Sequence, residues 1–263
     1  MINRQPFFDS KFDTKKNCQE LANNIMPVDF DDYSDSYQEL LNGTIWLSGE
    51  KADYFFDYKL NCIKRWILKN DQAVTILDFG CGIGKLAALI AQAYPQSTIY
   101  GYDASSKSIE TAIGSLGQLK NLVFLNQLPT TQCFDLIIVA NVFHHIKQED
   151  RKQILLHLRS ILKPDGTITV FEHNPFNPIT VHTVKTCPFD AGVELIRLGQ
   201  FVKLATRCDL RVCMERYIVF FPKFLRFFRV IETFLGFLPL GAQYMISLRK
   251  ISKLTVYGSR PVN

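Results

Sequence analysis

The chain is predicted to be an α/β protein, a seven-stranded and mostly parallel sheet with helices on both faces. Three observations carry that expectation. From Val74 onward, short runs of β-branched and aliphatic residues alternate with segments of helical periodicity, the pattern of strands joined through helical crossovers. Gly80, Gly82 and Gly84 break the first alternation, where a strand must turn into a helix. Pro164-Asp165-Gly166 marks a later turn, in front of another aliphatic run.

In chain order, residues 1–72 read as polar coil followed by helices. Tyr54, Phe55, Tyr58, Ile63, Trp66 and Ile67 fall at helical spacing over Ala52 to Leu68, and a shorter helix is expected over Ser34 to Leu41. Strands are predicted at 74–79, 97–102, 121–125, 134–140 and 167–172, with helices between them at about 84–94, 105–117 and 148–162. A helix near 190–207, an alternating strand over Leu210 to Pro222, a helix over Lys223 to Leu238 and a last antiparallel strand from Gln243 complete the expected order. Right-handed crossovers put the C-terminal ends of the parallel strands on one edge, where ligands bind in such sheets. The division that follows is a helical lid over 1–72 and a ligand-binding domain over 73–263, with an aromatic-rich cap over 174–240.

A chain of 263 residues with 47% hydrophobic and 21% charged residues can bury a full core and is not disordered. Its seven cysteines, an odd number without any C-x-x-C pair, argue against a disulfide framework or metal site and for a reducing, cytoplasmic compartment. Met1 to Lys16 lacks the apolar stretch of a secretory signal. No run approaches the ~18 apolar residues of a membrane span. The net charge of +5 is uneven: Ala191 to Asn263 holds twelve Lys and Arg against four Asp and Glu. Such charge attracts nucleic acid or phospholipid nonspecifically, or simply faces solvent.

The glycine turn narrows the ligand. A dinucleotide fingerprint needs its third glycine where Lys85 stands, and a P-loop needs Ser or Thr where Leu86 stands. The spacing Asp78, Gly80, Gly82, Gly84 instead resembles motif I, D-x-G-x-G-x-G, of the class I S-adenosylmethionine (SAM)-dependent methyltransferases. Asp103 ends the second strand, where a carboxylate can accept hydrogen bonds from both hydroxyls of a ribose. Phe134-Asp135 opens a strand that leads to Asn141 and His144-His145, and Ile161 to Gly166 resembles the family's L-K-P-G-G turn. These matches cover roughly residues 74–172.

The resemblance implies a Rossmann-like fold, SAM as methyl donor, S-adenosylhomocysteine (SAH) as product, and no metal. It also implies a cofactor seat of Asp78, Gly80, Cys81, Gly82, Gly84, Asp103, Ala104 and Asn141, with Asp78 and Gly80 nearest the methionine end. Where the family usually has an acidic stretch after strand three, Asn126 or Gln127 is left to meet the adenine.

A methyl sulfonium is already activated, so the protein must mainly align an acceptor and exclude water. A hydroxyl acceptor also benefits from a base. His144 or His145 suits that role, and Glu172 with His173 forms a second acid/base candidate at the end of strand five. Asn174, in the proline-held loop Asn174-Pro175-Phe176-Asn177-Pro178, is expected beside His173 and Tyr37 against the acceptor. The basic and aromatic run over 220–240 suggests a greasy, lipid-like acceptor and a peripheral seat on the inner membrane face. The expected activity is methyl transfer to a small or lipid-like molecule, at oxygen. Alternatives from other classes stay open: a nucleic-acid methyltransferase, a non-catalytic SAM-binding partner subunit, or a nicotinamide-dependent reductase. The first lacks the (D/N)-P-P-(Y/F) signature, since Asn141-Val142-Phe143-His144 stands in its place.

Overall fold

The computed structural model describes residues 43, 45–68, 73–128, 130, 134–190 and 192–251. The helix expected over Ser34 to Leu41, Tyr37, and most of the expected lid lie outside these residues.

Seven strands form one sheet: β1 (Thr75–Phe79), β2 (Thr98–Tyr102), β3 (Leu122–Leu125), β4 (Phe134–Ala140), β5 (Leu162–His173), β6 (Leu210–Ile218) and β7 (Gln243–Lys250). Their spatial order is β3-β2-β1-β4-β5-β7-β6. The first five strands run parallel, and β7 pairs antiparallel with both β5 and β6. The strand order reverses between β1 and β4, which opens a crevice at their C-terminal ends.

Helix α1 (Ala52–Cys62) precedes the sheet and continues through a π-helical turn at Ile63–Ile67. Helices α2 (Lys85–Ala93), α3 (Ser106–Leu116) and α4 (Arg151–Ile161) make the crossovers. Successive residues of β1 and β4 feed opposite faces of the sheet, as strands buried on both sides must. Leu77, Phe79, Ile137 and Val139 pack with Leu155, Leu158 and Phe201 on one face. Ile76, Leu136 and Ile138 pack with Leu60 of α1, Ile63 of the π-helical turn, and Leu86 and Ile90 of α2 on the other.

The second half departs from the sequence expectation in three places. Asn174 to Pro178 does not stay a loop: Asn177 caps a helix, α5 (Pro178–Thr186), its side chain accepting from the Thr180 N–H at 3.0 Å with Pro178 in the first turn. That is a regular N-terminal signal, Asx followed by Pro. The helix expected near 190–207 begins only at Leu198, as α6 (Leu198–Arg207). The segment Lys223–Ile231 is a 3₁₀ helix kinked at Leu225, followed by one α-helical turn, α7 (Glu232–Leu235). Among the described residues no helix is long and apolar enough to cross a membrane.

Candidate active site

The turn after β1 is built around backbone that only glycine tolerates. Gly80 has φ +75° and a Cβ there would lie 2.4 Å from Val142 Cγ2; Gly84 has φ +79° and would meet Phe124 Cζ at 2.6 Å. Gly82 differs. It too has a positive φ, +52°, but a Cβ on it meets nothing within 4 Å, so its missing side chain leaves space toward the crevice. The Gly80 and Cys81 N–H groups donate to the Tyr102 carbonyl at 2.7 and 2.9 Å, which ties the turn to the end of β2.

Asp103 sits at that end. Its carboxylate accepts from the Gly82 N–H at 2.7 Å and from the Ser105 N–H at 2.9 Å, so it braces the turn and the entry to α3 together. Asp78, fully buried on β1, receives the Ala87 N–H of α2, while its Oδ2 has no partner. Burial first, and then the Asp103 charge, push its carboxyl up to about 7. Asn141, immediately after β4, is held in the left-handed region at φ 58° and buries an Oδ1 without a partner. One continuous cavity is lined by Asp78, Gly80, Cys81, Gly82, Asp103 and Asn141, and also by Tyr54 and Gln243, whose Tyr54 hydroxyl and Gln243 Oε1 are likewise buried without partners. Buried polar atoms are nearly always satisfied in a folded protein. Four orphans around one cavity mark the place of a polar ligand.

His144, His145, His173 and Asp190 line the same cavity. Glu172 organises this group from behind. It is fully buried, accepts from the Val142 and Phe143 N–H groups at 3.0 and 2.7 Å, and meets His144 Nδ1 at 2.6 Å. His144 Nε2 then points toward Asp190 Oδ1 at 3.6 Å, and His145 Nε2 lies 3.4 Å from the same oxygen. Burial disfavours a charged His144, but Glu172 and Asp190 outweigh it and raise the ring to about 9. Burial and the neighbouring His144 lower His145 to about 3 and His173 to about 4, which keeps both neutral.

Among the residues expected from sequence, Asp78, Gly80, Cys81, Gly82, Asp103, Asn141, His144, His145 and His173 share the cavity. Gly84, Ala104 and Glu172 stand behind it. Asn126 and Gln127 are exposed and do not line it. Asn174 is buried and turned away: its Nδ2 donates to the Pro239 and Gly241 carbonyls at 3.0 and 2.8 Å, and its Oδ1 accepts from Phe176 N–H at 3.1 Å.

Several lining residues lie outside the sequence expectation. Asp190 and Gln243 arrive from far along the chain. Lys59 of α1 is buried against the cavity, and burial holds its ammonium down to about 8. Arg229 reaches back to Glu50 at 2.8 Å, receives the Tyr54 ring 4.4 Å from its guanidinium carbon, and donates to the Phe221 carbonyl. Tyr58 donates to Glu232 at 2.7 Å, and the other Glu232 oxygen accepts from Phe220 and Phe221 N–H. These contacts clasp the N-terminal helix to the C-terminal 3₁₀ segment across the cavity. Lone aromatics and charges in such segments carry no local signal of that pairing.

The sheet order, the glycine turn and the acidic residues at the strand ends define a nucleoside-binding α/β protein of the methyltransferase type. Comparison with known proteins agrees. Residues 77–168 match the family model of a methyltransferase domain. The chain is 33% identical over 109 residues to a demethylmenaquinone methyltransferase of Thermotoga maritima, covering 39% of this chain and 44% of that protein. It is 27% identical over 194 residues to an uncharacterized methyltransferase of Oceanobacillus iheyensis, covering 72% of this chain and 86% of that one. A solved complex of the Haloferax volcanii Trm112 methyltransferase activator with a putative methyltransferase contains a chain of similar fold, with a TM-score of 0.62 at 16% identity, covering 85% of this chain and 98% of that one. Residues 77–168 are a methyltransferase domain, and the chain has the fold of the class I SAM-dependent methyltransferases. It spans less than half the length of the first of these relatives.

Proposed function

We propose that this protein transfers the methyl group of SAM to an oxygen of a small or lipid-like acceptor. The observation that carries this reading is one continuous cavity whose lining joins the glycine turn and its orphaned polar atoms, three histidines, and apolar side chains such as Phe55, Ile179 and Phe220. The fit of SAM rests on this chain's own residues. Asp78 Oδ2 offers an unpartnered acceptor for the ammonium of the methionine moiety, Gly82 leaves room for backbone approach, and Asp103 and Asn141 flank the place of the ribose.

His145, neutral and lining the cavity, is the residue assigned to receive the acceptor's proton in this reading, with the Asp190 carboxylate 3.4 Å from its Nε2 to balance the imidazolium that forms. Both ring nitrogens of His144 face carboxylates, Nδ1 at Glu172 and Nε2 toward Asp190, so His144 positions and neutralises charge instead of exchanging a proton. In this reading His145 would accept the acceptor's hydroxyl proton, and bound SAM would supply the methyl group to that oxygen and leave as SAH. Glu172 is a positioning residue that holds the loop carrying both histidines.

The lipid-like character of the acceptor has a separate support. Phe224, Phe227, Val230, Phe234 and Phe237 are each more than 60% exposed, far more apolar surface in one short segment than a soluble monomer usually leaves uncovered. Lys223 and Arg226 are exposed beside them. Asn177 Nδ2 donates to the Leu240 carbonyl at 2.7 Å, which brings exposed Phe176 and Ile179 to the same side, and Ile179 and Pro222 line the cavity mouth. A basic and aromatic rim around the mouth suits an anionic bilayer surface from which a greasy acceptor is taken.

Labelled-methyl transfer from SAM to polyprenyl phenols, acyl intermediates and hydroxyl metabolites tests the activity. Product with the wild type, and its loss in H145A with SAM affinity kept, is the expected result. Transfer by H145A at the wild-type rate removes His145 as the base, and transfer only to nucleic acid overturns the acceptor class.

A further inference from the structure

We propose that His144, His173 and Asp190 form a binding site for a divalent transition-metal ion of the zinc type. One donor atom from each lies within 4.8 Å of the other two. The residues stand on three separate elements, the loop after β4, the end of β5 and the turn after α5, so no sequence spacing announces the group.

Five features make it more than a chance cluster. His144 Nδ1 is held by Glu172 Oε2 at 2.6 Å, and Glu172 is itself fixed by two backbone N–H groups. A carboxylate behind one ring nitrogen is the usual way a metal-binding histidine is oriented with its other nitrogen forward. The forward nitrogen lies 3.6 Å from Asp190 Oδ1. The His144–Asp190 separation is long for a hydrogen bond but close to the roughly 3.3 Å between two ligands of a tetrahedral ion with bonds of about 2.0–2.1 Å. Three imidazoles are packed together, with the His144 ring centroid 4.1 Å from that of His145 and 5.0 Å from that of His173. Asp190 and Glu172 supply two negative charges to balance a divalent ion. Finally, His144, His173 and Asp190 all face the cavity, so an ion held there keeps a coordination position open to an acceptor oxygen, whose proton it would make more acidic.

The binding claim stands apart from the methyl-transfer reading; only the ion's role in activation rests on it. The test is calorimetric titration of the chelator-treated 263-residue chain with zinc, and with cobalt for its visible spectrum, beside a separate titration with SAH. One zinc per chain is expected, with affinity about a hundredfold weaker in H173A and D190N and about tenfold weaker in E172Q. H182A, on an exposed face of α5, should bind as the wild type does. SAH binding by each variant shows that it is folded. Absence of zinc binding by wild-type protein that binds SAH overturns the site, and so does undiminished binding by an H173A/D190N double variant. Zinc binding without any SAH binding would leave the metal site standing and remove the methyl-transfer reading.

Discussion

Asp78 offers the sharpest test of how the cofactor is held. Its carboxyl is buried at the end of β1, beside the Asp103 charge, and its pKa rises from 3.8 to about 7. That displacement corresponds to about 4 kcal/mol for keeping the group charged in the ligand-free protein. Because the folded value lies above the unfolded one, the folded protein binds the extra proton between about pH 4 and pH 7. Stability from this group is therefore lost as pH rises through that window. A bound ammonium reverses the balance, since it pairs only with the charged form. With a pKa of about 7, half of Asp78 is charged at pH 7 and about 3% at pH 5.5, so SAM affinity should fall about fifteenfold between them. SAM's own α-amino group stays protonated over this range. Calorimetric titration at half-unit steps measures the fall, and D78N supplies the control: weaker binding at pH 7, with no such slope. A wild-type affinity that varies less than twofold from pH 7 to 5.5, or an equal slope in D78N, refutes the assignment of Asp78 to the ammonium.

Other outcomes follow from the geometry. G82A should fold, with about 1 kcal/mol of left-handed strain, yet lose SAM binding, whereas G80A should lose about 3 kcal/mol of stability because its Cβ meets Val142 at 2.4 Å; urea denaturation and calorimetry separate the two. E172A leaves two backbone N–H groups and His144 without their carboxylate and should cost about 3–5 kcal/mol in chemical denaturation. Y58F removes a hydrogen bond to the buried Glu232 carboxylate and should cost about 1.5–3 kcal/mol. Replacing Phe224, Phe234 and Phe237 together by Ser should abolish flotation with anionic vesicles while leaving SAM affinity unchanged; equal flotation of this variant and the wild type would count against membrane docking by this rim.

Much of the cofactor half is legible in the amino-acid sequence. β1, β2 and β4 and the residues at their C-terminal ends can be placed because each signal is local: a strand's apolar run, a turn that demands positive φ, an acidic or amide residue directly after. Right-handed crossovers then leave one arrangement for those ends. Asn177-Pro178 carries an equally local signal, a cap and a first-turn proline, yet the density of prolines around it reads as extended loop and hides the start of α5. Lys223–Ile231 reads as part of a long helix because aromatic and basic residues at three-residue spacing suit the 3₁₀ and α forms alike.

The class of sheet, the glycine turn and the strand-end residues Asp78, Asp103 and Asn141 are written in the chain, since they depend on backbone preferences within a few neighbouring residues. The histidine-lined part of the cavity is a product of long-range packing. His144, His173 and Asp190 meet there, Glu172 turns inward to hold the histidine loop, and Glu50 and Tyr58 join Arg229 and Glu232 from 174 to 179 residues away. Such meetings follow from how distant segments pack over the sheet edge, and a side chain's distant partner leaves no trace in its local sequence.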